Sequence, residues 1–227
     1  MQPCGPGSIR AALLIAGKDL RAEARARTVF QGVAFYAILA ALLFSFALGP
    51  DSETLRRFAP SLVWLALALA SLLAVARSFA SERELGTLET LLLYPVSREA
   101  LFLGKLLASL VLLLVVAVLA IGLMAVLYTL AAPASIGLLA AAIVLGSLGL
   151  AAAGTFYGAL GAQLKAREAL LPMLLLPVLV PLLIAAIEVT DAAFTGTGGG
   201  RWLQVLAVFD IVLLSLAATV FPYLLEE

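Results

Sequence analysis

The sequence has no histidine, a single cysteine and few charges. Of its 227 residues 12% are charged, and the formal net charge is zero. Without histidine, and with only Cys4, the chain has neither an internal disulfide nor a metal site built from His or Cys ligands. A zero net charge argues against a nucleic-acid partner. No catalytic residue is predicted, because histidine is absent and the carboxylates cluster at the ends of apolar segments.

A phosphate-binding loop of the form Gly-x-x-x-x-Gly-Lys-Ser/Thr is also missing, so the chain is not expected to bind ATP in that way. Apolar residues are abundant, at 64% of the sequence. A soluble domain of this size cannot bury so much apolar surface, so lipid must surround most of the chain. We therefore predict an all-α polytopic membrane protein.

Six segments are apolar and long enough to cross a hydrocarbon core, which takes roughly 20 residues. The charge-free stretch 106–164 is too long for one span, and the Pro133 region divides it in two. Polar loops are expected at 51–59 and 188–201. The chain is predicted to be a single domain, 1–227, with spans at about 29–48, 60–79, 101–130, 136–162, 169–187 and 202–225.

Glycines and prolines mark two of these spans. The fourth has a strip without side chains that allows helices to approach closely, either inside one subunit or at a dimer contact: Gly146, Gly149, Gly154, Gly158 and Gly161. The fifth contains Pro172, Pro177 and Pro181, which are expected to bend or locally unwind it. Such a helix must be buried against protein or line a wet cavity.

Asp210 lies within the last predicted span, where a bare carboxylate is costly. It must face protein or water, or be protonated. Two interpretations stay open at this point: a residue of a substrate path, and a structural aspartate that is hydrogen-bonded or reaches the interface.

The N-terminus is predicted to hold a helix that lies in the membrane interface. Residues 1–7 are rich in Pro and Gly and are expected to be disordered, and residues 8–27 have helical periodicity. Basic residues gather opposite an apolar face that contains Ile9 and Leu13, which favours an amphipathic helix with its basic side toward lipid headgroups. The alternative is a solvated extension of the first span.

Orientation follows from the basic residues. Eleven of fourteen lie in the N-terminal segment, in residues 77–105 or in the loop 163–168. The rule that basic loops stay inside predicts that these segments, and both termini, are cytoplasmic.

A charged segment, Ser81–Ser97, joins the second and third spans. Thr87 is suited to cap a helix and Pro95 to end it, while leucines at helical spacing share one side. The pattern predicts a short amphipathic helix at the cytoplasmic membrane face.

Residues 82–97 read Glu-Arg-Glu-Leu-Gly-Thr-Leu-Glu-Thr-Leu-Leu-Leu-Tyr-Pro-Val-Ser. This segment resembles the signature of type-2 ABC transporter permeases, in which it is the coupling helix that docks on the ATPase. The whole chain resembles, more narrowly, the haem exporter protein B family of the cytochrome c maturation system. That resemblance rests also on Ala59–Trp64 with Leu72 and Leu73, and on Leu176–Pro181.

The resemblance implies a permease subunit in the bacterial inner membrane, with haem as cargo and ATP bound by a separate ATPase subunit. Expected partners are that ATPase, a second copy of the chain and further cytochrome c maturation membrane proteins. The implied ATPase-coupling residues are Glu82, Glu84, Gly86, Thr87, Leu88, Glu89, Leu91, Leu92 and Pro95. We take Trp64, Pro177, Pro181 and Asp210 as candidates for a transport path.

No cofactor is assigned to the chain itself. Haem iron is usually held by His, Cys, Met or Tyr, and Met124 and Met173 are more simply read as packing residues. Two other functions stay open at this level. One is a type-2 permease for a drug, lipid or polysaccharide, and the other is a membrane scaffold in which ATP hydrolysis releases haem from a chaperone without moving it across.

Overall fold

The structure is a computed structural model that describes residues 6–26, 51–84, 98–163 and 167–224, with single residues and short runs between 31 and 49. These ranges are almost wholly helical, and no β-strand occurs within them. The prediction of an all-α polytopic membrane protein is confirmed, because five of the described helices are long and apolar enough to cross a membrane.

Six helices have defined bounds: α1 Pro6–Ala26, α2 Ser52–Glu84, α3 Arg98–Leu127, α4 Ile136–Gln163, α5 Arg167–Thr195 and α6 Gly200–Leu224. The five that can cross a membrane are α2 to α6. The described residues between 31 and 47 are also helical. Most of the predicted first span, 29–48, lies outside the described residues.

Helices α2 to α6 run alternately up and down, which gives the bundle two ends. At the α2–α3 end α2 finishes and α3 begins, and at the α3–α4 end α3 finishes and α4 begins. The turn at 128–135 is the predicted break between the third and fourth spans. Close by, the Ser135 backbone N–H donates to the Ala193 carbonyl at 3.0 Å, which joins the start of α4 to the end of α5.

The expected loop at 51–59 is wrong, because α2 begins at Ser52. The Asp51 carboxylate caps the helix by accepting hydrogen bonds from the Glu53 backbone N–H, at 3.2 Å, and from the Thr54 hydroxyl. The bond from Thr54 lowers the pKa of Asp51 below its usual value. With 33 residues, α2 is about 50 Å long and extends beyond a hydrocarbon core of about 30 Å.

Arg56, in the first turns of α2, ties that helix to the end of α3. Its guanidinium donates to the Tyr128 carbonyl at 3.4 Å and to the Thr129 hydroxyl at 3.1 Å. Thr129 has a positive φ of 47°, where the chain leaves α3. This contact fixes the two helices to each other at the α3–α4 end.

The expected loop at 188–201 is also mostly wrong, because α5 continues to Thr195. Val189, Thr190 and Ala193 are buried, so this polar stretch packs against the bundle as helix. Gly196, with a φ of 74°, ends the helix, and its N–H donates to the Ala192 carbonyl at 3.0 Å.

Helix α5 passes through Pro172, Pro177 and Pro181 without interruption. Of the two expected effects, local unwinding is therefore wrong, and a bend stays a prediction. Each proline removes one backbone hydrogen bond, but the three are spread over separate turns. The bonds between them and the contacts of α5 with α2, α4 and α6 keep the helix intact.

The predicted N-terminal helix α1 is present, but it begins at Pro6, so the expected disorder is wrong for residues 6 and 7. The helix packs on the first turns of α3. Its buried side contains Ala12, Ile15 and Ala16, whereas Ile9 and Leu13 of the predicted apolar face are exposed. A Cβ at Gly104 of α3 would lie 2.8 Å from Ile15 and 2.9 Å from the Ala12 carbonyl oxygen, so the absence of a side chain permits the contact.

One charged pair accompanies this contact. The Lys105 side chain is only 2% exposed, and its ammonium group lies 3.8 Å from the Asp19 carboxylate of α1. A buried cation needs such a partner. The helix at the N-terminus thus has a protein-facing side as well as the predicted apolar and basic sides.

Candidate functional site

The candidate site lies along α4, which is the central helix of the bundle. It contacts α2, α3, α5 and α6, and residues 150–156 are buried around the whole helix circumference. Gly146 and Gly149 are three residues apart and therefore share one side of the helix. We refer to these two glycines as the α4 glycine pair.

Side chains from three other helices fill the space beside the glycine pair. A Cβ at Gly146 would collide with the indole ring of Trp64 from α2. A Cβ at Gly149 would collide with Leu182 from α5 and with the Asp210 carboxylate from α6. At these two positions, the predicted glycine strip allows helices of the same subunit to pack closely.

Trp64 connects three helices at this site. Its side chain is 1% exposed, and its indole N–H donates to the Thr190 hydroxyl oxygen on α5 at 2.9 Å. The Thr190 hydroxyl in turn donates to the Ala186 carbonyl one turn earlier, at 2.7 Å. The polar atom of the tryptophan is thus satisfied, and its ring packs on Gly146.

Asp210 is buried on the same side of α4 without a comparable partner. The residue is 2% exposed, and neither carboxylate oxygen has a hydrogen-bond partner among the residues that the structure describes. It lies ten residues after Gly200, the first residue of α6, which is about 15 Å along the helix axis. The carboxyl group is therefore deep in the bundle.

The four predicted transport-path residues do not form one cluster. Trp64 and Asp210 both border the α4 glycine pair, whereas Pro177 and Pro181 lie on the exposed side of α5. Of the predicted coupling residues, Glu82 and Glu84 lie in the last turn of α2. The other seven, Gly86, Thr87, Leu88, Glu89, Leu91, Leu92 and Pro95, lie outside the described residues, and the roles of all these residues stay predictions.

The family profile described as CcmB protein matches residues 10–226. The chain belongs to the CcmB family. Its relatives in that family include "Heme exporter protein B" of Rhodobacter capsulatus, 40% identical over 180 residues that cover 79% of this chain and 82% of the relative. The protein of the same name from Paracoccus denitrificans is 32% identical over 206 residues, or 91% and 93% of the two chains.

A third relative, "Heme exporter protein B" of Pseudomonas aeruginosa, is 35% identical over 185 residues, which cover 79% of this chain and 81% of that one. The expected membership in the haem exporter protein B family is therefore confirmed. Because each match covers most of both proteins, the similarity concerns the whole bundle of this CcmB-family chain.

Two residues of this CcmB-family chain have structural roles that the sequence pattern does not predict. The pattern predicts a loop at Thr190, although its position nine residues after Pro181 is close to an apolar helix. Lys105 stands out in the sequence only as a basic residue that indicates orientation. The acidic Asp19 of the amphipathic segment was an available partner, but the pairing of two distant helices left no periodic signal in the sequence.

The described part of the CcmB-family chain offers little for metal coordination. Among the described residues, no three His, Cys, Asp or Glu side chains are grouped so that they could hold a metal ion. Met124 is fully buried in the apolar core, which agrees with a packing role.

Proposed function

We propose that the chain is the transmembrane permease subunit of an ABC transporter that exports or delivers haem for c-type cytochrome assembly. The single observation that carries this proposal is the CcmB-family match over residues 10–226. It is supported by relatives named for haem export that match over most of their length. This favours haem over a drug, lipid or polysaccharide as the cargo.

A separate ATPase subunit would drive the complex. The sequence 82–97 has the pattern of a coupling helix, and it connects α2 with α3 at the end of the bundle that is richest in basic residues. We place this end in the cytoplasm, with both termini, and the protein in the bacterial inner membrane. ATP would bind only to the partner subunit.

Coupling would depend on acidic and apolar residues at this end. Glu82, Glu84 and Glu89 would pair with basic residues of the ATPase, while Leu88, Leu91 and Leu92 pack against it or against the ends of the spans. Closure of the ATPases on ATP would press on this segment, and rigid tilting of α2 and α3 would carry the movement to the α3–α4 end. Two copies of the chain would face each other over two ATPases.

Haem would not be held by histidine of this subunit, because the chain has none. Other cytochrome c maturation membrane proteins would present haem or receive it. Trp64, Pro177, Pro181 and Asp210 remain the candidate path residues.

The packing of the bundle supports a second candidate function, a membrane scaffold that does not translocate haem. Trp64, Leu182 and Asp210 fill the space beside the α4 glycine pair, so haem would have no route along that side of α4 in this conformation. In a scaffold, the same ATP-driven movement would release haem from a chaperone without translocation. Both functions use the same coupling segment and partners.

Charge reversal tests the coupling. The double variant Glu84→Lys with Glu89→Lys should lose both complex formation with the ATPase and the stimulation of ATP hydrolysis. The two introduced lysines would repel the basic residues of the ATPase that the glutamates are proposed to bind. Glu188→Lys is the matched control, since it places a lysine at an exposed position near the α3–α4 end. If the double variant retains both binding and stimulation, the docking role is wrong.

Sealed vesicles that contain the complex with its ATPase separate export from release. Export predicts ATP-dependent appearance of haem in the compartment opposite the ATPase. Release predicts ATP-dependent dissociation of the haem chaperone with no haem crossing. Absence of both would contradict a role in haem handling.

A further inference from the structure

Asp210 has a carboxyl group in the interior of the bundle and is not among the residues proposed to couple the chain to the ATPase. It is 2% exposed, it lies about 15 Å from the start of α6, and it touches the bare backbone at Gly149. An ionised carboxylate at such a depth would lose its hydration without gaining hydrogen bonds, which is strongly unfavourable. Some cation must therefore neutralise it.

A metal cation does not fit the surroundings. Calcium and magnesium take six or more oxygen ligands, and the described residues contain no group of three carboxylates at this position. Two hydroxyl groups of α4, those of Ser147 and Thr155, are buried, but neither donates to Asp210. Gly149 and the Leu182 side chain lie beside the carboxyl group, and a proton is the cation that needs no further ligands.

No other charge faces Asp210 from the described helices α3, α4 and α5 that pack against α6. Residues 142–156 of α4, 177–187 of α5 and 106–127 of α3 contain no titratable residue. On α6 itself the nearest charged residue is Arg201, nine positions earlier, exposed at the helix start. Within the part of the chain that the structure describes, neither an ion pair nor a neighbouring charge therefore compensates the carboxylate.

We propose that Asp210 is a proton-binding site in the interior of the bundle. Its carboxyl group carries a proton while α6 is packed on α4, and it exchanges that proton only when the two helices separate. Because the protonated form belongs to the packed state and the ionised form to the separated state, lowering the pH favours packing of α6 on α4. The site links proton uptake to this one helix contact.

Infrared spectroscopy of the full-length protein in lipid tests the site directly. The difference between wild type and Asp210→Asn at neutral pH should contain the carbonyl stretching band of one protonated carboxylic acid per chain. The matched difference between wild type and Glu188→Gln, at an exposed position of α5, should lack that acid band.

A second comparison leaves Asp210 in place and changes its neighbour. Gly149→Ala places a methyl group where the Leu182 side chain and the Asp210 carboxyl group now lie, so both side chains must move. We expect this displacement to open the contact between α6 and α4 to water. The acid band should then be replaced by carboxylate bands at neutral pH. Gly137→Ala is the matched control on the same helix, because nothing lies within 4 Å of its Cβ position, and it should keep the acid band.

Two results would overturn the proposal. One is a wild-type spectrum in which Asp210 contributes carboxylate bands at neutral pH, which would mean that the buried group is ionised. The other is an acid band that Gly149→Ala leaves unchanged, which would separate protonation from helix contact. Neither result depends on haem or on the ATPase partner, so the proposed function is tested independently.

Discussion

Helices α3 and α4 are both strongly apolar, but their environments in the bundle differ. Both are nearly free of charge over their membrane-spanning lengths. Yet α3 exposes a row of large apolar side chains, among them Val111, Val115 and Val118, whereas α4 is enclosed by four helices. Apolarity alone does not separate a lipid-facing helix from a central one.

The difference lies in the size of the side chains. In lipid, an apolar side chain gains little by leaving one hydrocarbon environment for another, so helices associate where small residues let them approach closely. On α4, alanine and glycine occupy most of residues 151–154 and 158–161. On α3, the described residues 98–127 contain only two glycines. One of these, Gly104, is the site where α1 docks.

Of the three substitutions considered, Gly146→Ala should lower the free energy of unfolding most. The added methyl group collides with the buried Trp64 ring, and overpacking of this kind costs up to about 3 kcal/mol. The free energy of unfolding in mixed detergent micelles measures the loss. Gly122→Ala on α3 is the control, because nothing lies within 4 Å of its Cβ position. Equal losses for the two variants would remove the distinction between the helices.

Leu113→Ala should have an intermediate effect on the free energy of unfolding. It compares a buried position of α3 with an exposed position on the same helix. Leu113 is 1% exposed and belongs to the core that includes α4 residues. The variant should lose about 1–2 kcal/mol, less than a leucine truncation costs in water, because the side chain remains in a hydrocarbon environment after the helices separate. Val118→Ala, at a position 63% exposed, should be neutral in the same assay. A loss at Val118 would indicate that a partner covers this face.

Thr190→Val should have the smallest effect of the three. It keeps the shape of the side chain and leaves the Trp64 indole N–H without its acceptor, at a cost of about 1 kcal/mol. Thr219→Val on α6 removes a hydroxyl that bonds only to carbonyls of its own helix, at an exposed position. A Thr190 variant as stable as the Thr219 variant would show that the indole bond does not contribute.

Much of the fold follows from composition and segment length. The apolar runs and the break near Pro133 predict the helices that the structure contains, and the glycine strip predicts close approach at α4. What the sequence pattern leaves undetermined is which side chains occupy that strip. Trp64 and Asp210 come from segments 146 residues apart, and nothing in local periodicity connects them.

The errors have a common physical cause. The sequence pattern predicts that helices end where polar residues begin, at 51–59 and 188–201. A helix does not end at the edge of the hydrocarbon, however, because its backbone hydrogen bonds are equally available in water. Asp51 and Gly196 set the actual ends, through capping. The segment at 85–97 and its coupling role stay predictions from the sequence pattern.

The contact of α1 with Gly104 restricts the rotation of α3. Rotation of α3 about its long axis would carry the bare backbone at Gly104 away from Ile15 and bring Leu103 or Lys105 against the Ala12 carbonyl. The contact with α1 therefore fixes the rotation of α3 about its own axis. A rotation imposed at the start of α3 would move α1 together with α3, or it would break the contact between the two helices.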